Sequence, residues 1–214
     1  VMEAAPVRKV LLYYPVYDLQ REYLPSAGPM SQDTQTELSK TIEKSFKELG
    51  ANLLKTQTQF VLVDNLTLEK AIITKNGTVQ IGPDQYRSIV FPKGVVFPSS
   101  VAGIVGQAKA GGVKVIAADN FQVTPSPEQL QELTGFDDKL VPACSSIAFG
   151  KFTREGREIY LMVNTGINAY SGILEVAGGK HYIELDPQTG SVSGEKKLSG
   201  NKIALKMDPL QTKI

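Results

Sequence analysis

The residues best suited to chemistry lie together near the start of the chain: Tyr13, Tyr14, Tyr17 and Tyr23, with Asp18 and Arg21 among them. Aromatic rings offer flat apolar faces on which a sugar ring can stack, while a carboxylate and a guanidinium supply partners for its hydroxyls. Tyr17, Asp18, Arg21 and Tyr23 are therefore the candidate carbohydrate-binding residues, and Tyr13 and Tyr14 read as sheet packing. The same loop could equally dock onto a neighbouring domain. Nucleophilic chemistry finds less support. Cys144 and His181 are the single cysteine and the single histidine. Cys144 does not stand at a tight strand-to-helix turn, where an activated thiol is expected, and reads as a small buried hydrophobe. His181 reads as an ordinary strand residue, and one histidine with one cysteine gives neither a disulfide framework nor a His/Cys metal site.

The acids are scattered. Asp64, Asp84, Asp119 and the Asp137-Asp138 pair read as caps, turns or exposed charges, not as metal ligands. Gly103 and Gly106, in SSVAGIVGQAKAGG, fall inside a helical pattern with no Lys-Ser/Thr pair after them, which suits close helix packing better than a phosphate cradle. No catalytic residue, metal ligand or cofactor is assigned.

Two kinds of element must position these residues. Residues 7–16 form an apolar run suited to a strand buried on both faces of a parallel sheet, and its end opens into a loop over 17–30. Ser31 can cap a helix through Leu49, with Leu38, Ile42, Phe46 and Leu49 on one face and Gly50 ending it. A strand at 60–63, a helical turn at 66–71 and a hairpin over 72–81 reversing at Asn76-Gly77 come next. A strand at 88–92, a helix from Ser99 or Ser100 to Ala110 closed by Gly111-Gly112, and a strand at 113–118 follow. This order predicts an open, doubly wound α/β sheet. The segment 121–142, with Pro125, Pro127, a short helix at 128–134 and Asp137-Asp138, reads as the boundary. Beyond it the pattern is hairpins only, over 147–153, 158–164, 171–176, 181–185, 192–198 and 203–207, which predicts a small all-β sandwich resting on the α/β half. The expected division is an α/β domain over 1–122, a linker over 123–145 and a sandwich over 146–214.

Composition narrows the class. Lys plus Arg number 23 against 22 Asp plus Glu, a net charge of +1, so no global field draws the chain to nucleic acid or an anionic membrane. No apolar run approaches the roughly 20 residues that cross a bilayer. The chain opens on Val1 and not on Met, which suggests a trimmed fragment whose leader or further domain lies upstream.

Several stretches carry a resemblance. VLLYYPVYDL (10–19), FVLVDNLTLEKA (60–71), NGTVQIGPDQYRSIVFPKG (76–94), VKVIAAD (113–119), IYLMVNTG, IELDPQTG and ALKMDPLQTKI resemble the region that follows the catalytic barrel in family 106 and related bacterial glycoside hydrolases, notably α-L-rhamnosidase-like enzymes. The resemblance implies a flavodoxin- or amidotransferase-like α/β domain followed by a β-sandwich, in a periplasmic or extracellular enzyme acting on complex carbohydrates. It also implies that the paired carboxylates of glycoside hydrolysis stand in a barrel elsewhere, because this chain is too short to hold one of about 250 residues besides these elements. The expected role is a non-catalytic accessory region whose partner is the barrel of the same parent polypeptide, with an oligosaccharide as a further partner. The alternatives are a carbohydrate-binding module and a stand-alone amidotransferase-like enzyme.

Overall fold

The computed structural model describes residues 3–7, 9–25, 27–28 and 35–214. Its first strands are β1 (Ala5–Pro6), β2 (Val10–Tyr13), β3 (Phe60–Val63), β4 (Ile72–Ile73), β5 (Val79–Ile81), β6 (Asp84–Tyr86), β7 (Ser88–Phe91), β8 (Lys114–Ala117) and β9 (Lys139–Val141). The rest are β10 (Ile147–Arg154), β11 (Arg157–Asn164), β12 (Tyr170–Glu175), β13 (His181–Tyr182), β14 (Lys196–Lys197), β15 (Lys202–Met207) and β16 (Thr212–Lys213). Among the described residues five α-helices occur: α1 (Val16–Arg21), α2 (Glu37–Lys55), α3 (Asn65–Leu68), α4 (Ser99–Ala110) and α5 (Pro127–Thr134).

The chain divides into two compact units, one of Val1–Arg8, Leu53–Gln59 and Gly135–Ile214, the other of Lys9–Asn52 and Phe60–Thr134. In the second unit the order β3-β2-β7-β8 forms a parallel sheet. All four residues of β2 are buried, as a strand covered on both faces requires. Leu11, Tyr13, Ile89 and Phe91 share a core with Val101, Val105 and Ala108 of α4. Val10, Leu12 and Val90, at the alternate positions, point to the opposite face and are equally buried.

The expectation of a doubly wound α/β domain followed by a β-sandwich is overturned. Most of the strands belong to several small antiparallel sheets, and the single parallel sheet has only four strands. Between β3 and β7 the alternation of strand and helix breaks, because α3 is a single turn and β4-β5-β6 form an antiparallel sheet of their own. Short apolar runs fit either kind of ladder, so strand signals alone did not separate them. Residues after 146 make no single two-sheet packet. β10 and β11 pair with each other and take β1 and β16 at their outer edges, β12 pairs with β15 and β9, and β13 pairs with β14 alone.

Local differences have local causes. The loop expected over 17–30 contains α1, and the Ser31 cap lies outside the described residues. Helix α2 does not stop at Gly50 but continues to Lys55. A mid-helix glycine costs only about 1 kcal/mol, whereas burying Leu53 completely, one turn on, contributes about 1.5–3 kcal/mol. Gly103 and Gly106 were expected at a close helix contact, yet a Cβ on either would meet nothing within 4 Å. The buried face of α4 is Val101, Val105 and Ala108 instead.

Candidate functional site

In the second unit the parallel order changes direction between β2 and β7, the position at which ligands of open parallel sheets commonly gather. Pro15 ends the extended backbone after β2, and α1 begins at once. This turn carries Asp18 inward to 0% exposure. Its Oδ1 accepts the Val96 N–H at 2.6 Å, and its Oδ2 receives a long contact from the Tyr13 hydroxyl at 3.5 Å. The segments after β2 and β7 are thus joined by a hydrogen bond between protein groups. Burial raises the Asp18 pKa, against the Val96 hydrogen bond and the Arg21 charge, which lower it. Burial, and next the Asp18 charge, pushes the Tyr13 hydroxyl upward as well.

The other three candidates stay at the surface. Tyr17 is 37% exposed and Tyr23 49%. Arg21 turns its Nε towards Glu22 Oε1 at 3.4 Å. Tyr14 is also exposed, with one face against Phe46 at 5.4 Å between ring centroids. The fold therefore presents Tyr17, Arg21 and Tyr23 on and just after α1, and separates Asp18 from them by taking it into the interior.

The first unit holds a polar cluster that sequence patterns did not reveal. Lys151 is 2% exposed and lies directly across the β10–β11 ladder from Tyr160. Its ammonium meets Asp138 Oδ2 at 2.9 Å and Glu158 Oε1 at 2.8 Å, and stands 5.1 Å from the Tyr160 ring centre. The Tyr160 hydroxyl, with one proton to donate, lies 2.7 Å from Glu158 Oε2 and 3.1 Å from Asp138 Oδ1, and the Ala177 N–H donates to that Asp138 oxygen at 3.0 Å. Burial depresses the Lys151 pKa, but the hydrogen bonds it donates to Glu158 and Asp138, with their charges, outweigh it and the net shift is upward. Burial, then the bond to Glu158, drives the Tyr160 pKa up strongly. Asp138 is therefore not the exposed turn acid the sequence suggested. The available signal was Lys151 itself, which shares its side of β10 with Ile147 and Phe149 and must find a counter-charge there.

Cys144 packs at the margin of the core around Leu140, Ile147 and Met162, and its thiol lies 3.1 Å from the Ser146 hydroxyl. His181 sits on β13, half-exposed, with Nδ1 4.0 Å from Glu195. Asp64 caps α3 by accepting the Thr67 N–H at 2.8 Å, and Asp119 accepts the Gly94 N–H. Among the described residues no group of three or more His, Cys, Asp and Glu could hold a metal ion. None of the helices among them is long and apolar enough to cross a membrane.

Comparison with solved structures gives the chain a fold relative. It is similar to a segment of a rhamnosidase from Novosphingobium sp. PP1Y, with a TM-score of 0.59 and 14% identity, over 98% of this chain and 22% of that one. The chain thus spans about a fifth of the rhamnosidase. An Anoxybacillus α-amylase matches more loosely, with a TM-score of 0.28 and 11% identity over 79% of this chain and 31% of that one. No protein-family profile matches the chain. No curated protein matches it either.

Proposed function

We propose that this chain is a non-catalytic accessory region of a bacterial glycoside hydrolase of the α-L-rhamnosidase-like kind, acting on complex carbohydrates outside the cytoplasm. The observation that carries this reading is the shared fold along 98% of the chain with a piece of a rhamnosidase more than four times as long. A piece of that proportion is what an accessory region contributes, with the catalytic barrel of the same polypeptide as its partner. The Asp18–Val96 bond supports the same reading, because the loops after β2 and β7, which flank the reversal of strand order, are joined to each other by protein groups.

A test is turnover of aryl glycosides by the purified chain, with none expected. Hydrolysis abolished by a single carboxylate substitution would overturn the reading. The exposed rings of Tyr17 and Tyr23 favour one alternative, a carbohydrate-binding module that stacks a sugar on α1. Calorimetric titration with rhamnose-containing oligosaccharides decides between the two. Tight binding lost in Tyr17→Ala selects the binding module, and no measurable binding leaves the supporting role.

A further inference from the structure

A cleft whose lining includes neither Tyr17 nor Tyr23 has the composition of a polar ligand site. Within the second unit a cleft of about 620 Å³ opens between α2 and the segments that follow β7 and β8. Ligand sites commonly occupy about 300–1,000 Å³, enough for one sugar unit with its water. Lys44, Ser45 and Glu48 line it from α2, Lys93 from the β7 side, and Gln122 and Thr124 from the β8 side. Three of these groups are engaged with one another. Glu48 accepts the Thr124 hydroxyl and lies 3.9 Å from Lys44.

Three other groups have hydrogens to donate. The exposed Lys93 ammonium has no ion pair or hydrogen bond among the described residues, and neither does the Gln122 side-chain amide. Ser45, only 5% exposed, accepts the Lys93 N–H at 2.9 Å, which leaves its own proton without an acceptor among the described residues. The lining contains no aromatic ring on which a neutral sugar could stack. A neutral hydroxyl exchanging water for protein gains little, whereas a charged partner strengthens each hydrogen bond about twofold.

We propose that this cleft binds a sugar unit carrying a carboxylate, a uronate, with the carboxylate on Lys93 and Ser45 and a ring hydroxyl on Gln122. The site does not depend on the accessory role, since it is made wholly of residues of the second unit. Lys93 sets the preference for an anion. Glu48 disfavours an anion beside its own carboxylate, so the ligand's carboxylate is held at the Lys93–Ser45 end and the hydroxyls face Glu48 and Thr124.

The experiment is titration of the whole 214-residue chain at low salt, by calorimetry and by amide chemical shifts, with glucuronate, glucose, acetate and inorganic phosphate as separate ligands. Glucuronate is expected to bind and to shift the amides around Ser45, Lys93 and Gln122, glucose at least about tenfold more weakly, and acetate or phosphate no better than glucose. Lys93→Met should weaken glucuronate by about tenfold or more, Lys93→Arg should retain most of the affinity, and added salt should weaken it. Lys93 is exposed, so loss of folding is not expected, and the shift spectrum reports it directly. The proposal fails if glucuronate does not bind, if glucose binds as well, if Lys93→Met binds like the wild type, or if acetate or phosphate binds as tightly as glucuronate. The last result would mark a simple anion site.

Discussion

Removing the Asp138 carboxylate is expected to destabilise the first unit by an amount that the geometry bounds. Asp138→Ala takes away the acceptor for Lys151 at 2.9 Å and for the Ala177 N–H at 3.0 Å, while the Tyr160 hydroxyl keeps Glu158 Oε2 at 2.7 Å. Breaking one side of a buried ion pair costs about 3–5 kcal/mol. Lys151 keeps Glu158 at 2.8 Å, and Glu158 reaches solvent, so the ammonium is not wholly stranded and the lower end applies. The lost Ala177 N–H hydrogen bond adds about 1 kcal/mol, giving a total of about 4 kcal/mol. That is a large part of the roughly 5–15 kcal/mol that holds a whole domain.

Urea unfolding followed by tyrosine fluorescence measures the loss, with amide exchange in β10, β11 and β12 as the local probe, because two compact units need not unfold together. Asp138→Leu combined with Lys151→Met should recover most of the stability, since both charges then disappear. A loss below about 1 kcal/mol for Asp138→Ala, or a double variant no better than the single one, would refute the buried-pair account. The pH dependence has a definite sign. The folded-state pKa of Lys151 lies above its ordinary 10.5 and that of Tyr160 above 10.0, so their contributions are complete at neutral pH. They are lost only as pH rises through the folded values.

Asp18 gives the second prediction. Its folded pKa is raised above 3.8, so its contribution is greatest below that value and falls as pH rises through the folded one. Asp18→Asn should therefore flatten the pH dependence of the second unit without loss of stability at pH 7, while Asp18→Ala, which removes the charged acceptor of the Val96 N–H, should cost about 1.5–3 kcal/mol in thermal or urea unfolding. A third concerns Gly172, where a Cβ would come within 2.6 Å of the Val141 carbonyl oxygen and also strike the Tyr170 hydroxyl. Gly172→Ala should cost about 1–3 kcal/mol and speed amide exchange across the β9–β12 pairing, and wild-type exchange would contradict it. For the α3 cap, Asp64→Ala should lower stability by about 1 kcal/mol in the same unfolding measurement, and an unchanged midpoint would rule out a capping contribution.

The elements best legible in the sequence were those with turn chemistry at both ends. Asn76-Gly77 marked the β4–β5 reversal, where Gly77 takes φ +70°, and Glu155-Gly156 marked that between β10 and β11. Helix α4 was equally clear, closed by Gly111 and by Gly112 at φ +86°. Pairing was not legible, because a strand's own residues do not say which neighbour it takes. Nothing in Ala5–Pro6 announces an edge on β10, and nothing in Lys139–Val141 announces pairing with β12. The candidate site was half legible for a related reason. Period and polarity put Tyr17, Arg21 and Tyr23 at the surface, but the same rules would put Asp18, Asp138 and Lys151 there too. Each of those three is buried because a partner distant in the chain satisfies it or shares the cluster, and a local pattern cannot show that partner.

Where polar groups are committed therefore bears on where recognition can occur. Asp18 and Lys151 have desolvated charges, the feature that elsewhere marks chemistry, yet their hydrogen-bonding capacity is directed at protein groups: Val96 and Tyr13 for the first, Asp138 and Glu158 for the second. A carboxylate bound to a loop N–H at 2.6 Å cannot turn to a substrate without giving up that charge-assisted bond. Groups with spare capacity lie elsewhere. The rings of Tyr17 and Tyr23 and the donors of Lys93 and Gln122 reach solvent without giving up a protein bond that they now make, apart from the Nε contact of the intervening Arg21. Recognition at these surfaces would start from groups already exposed, whereas chemistry at the buried acids would first have to dismantle the packing that holds two loops or three strands together.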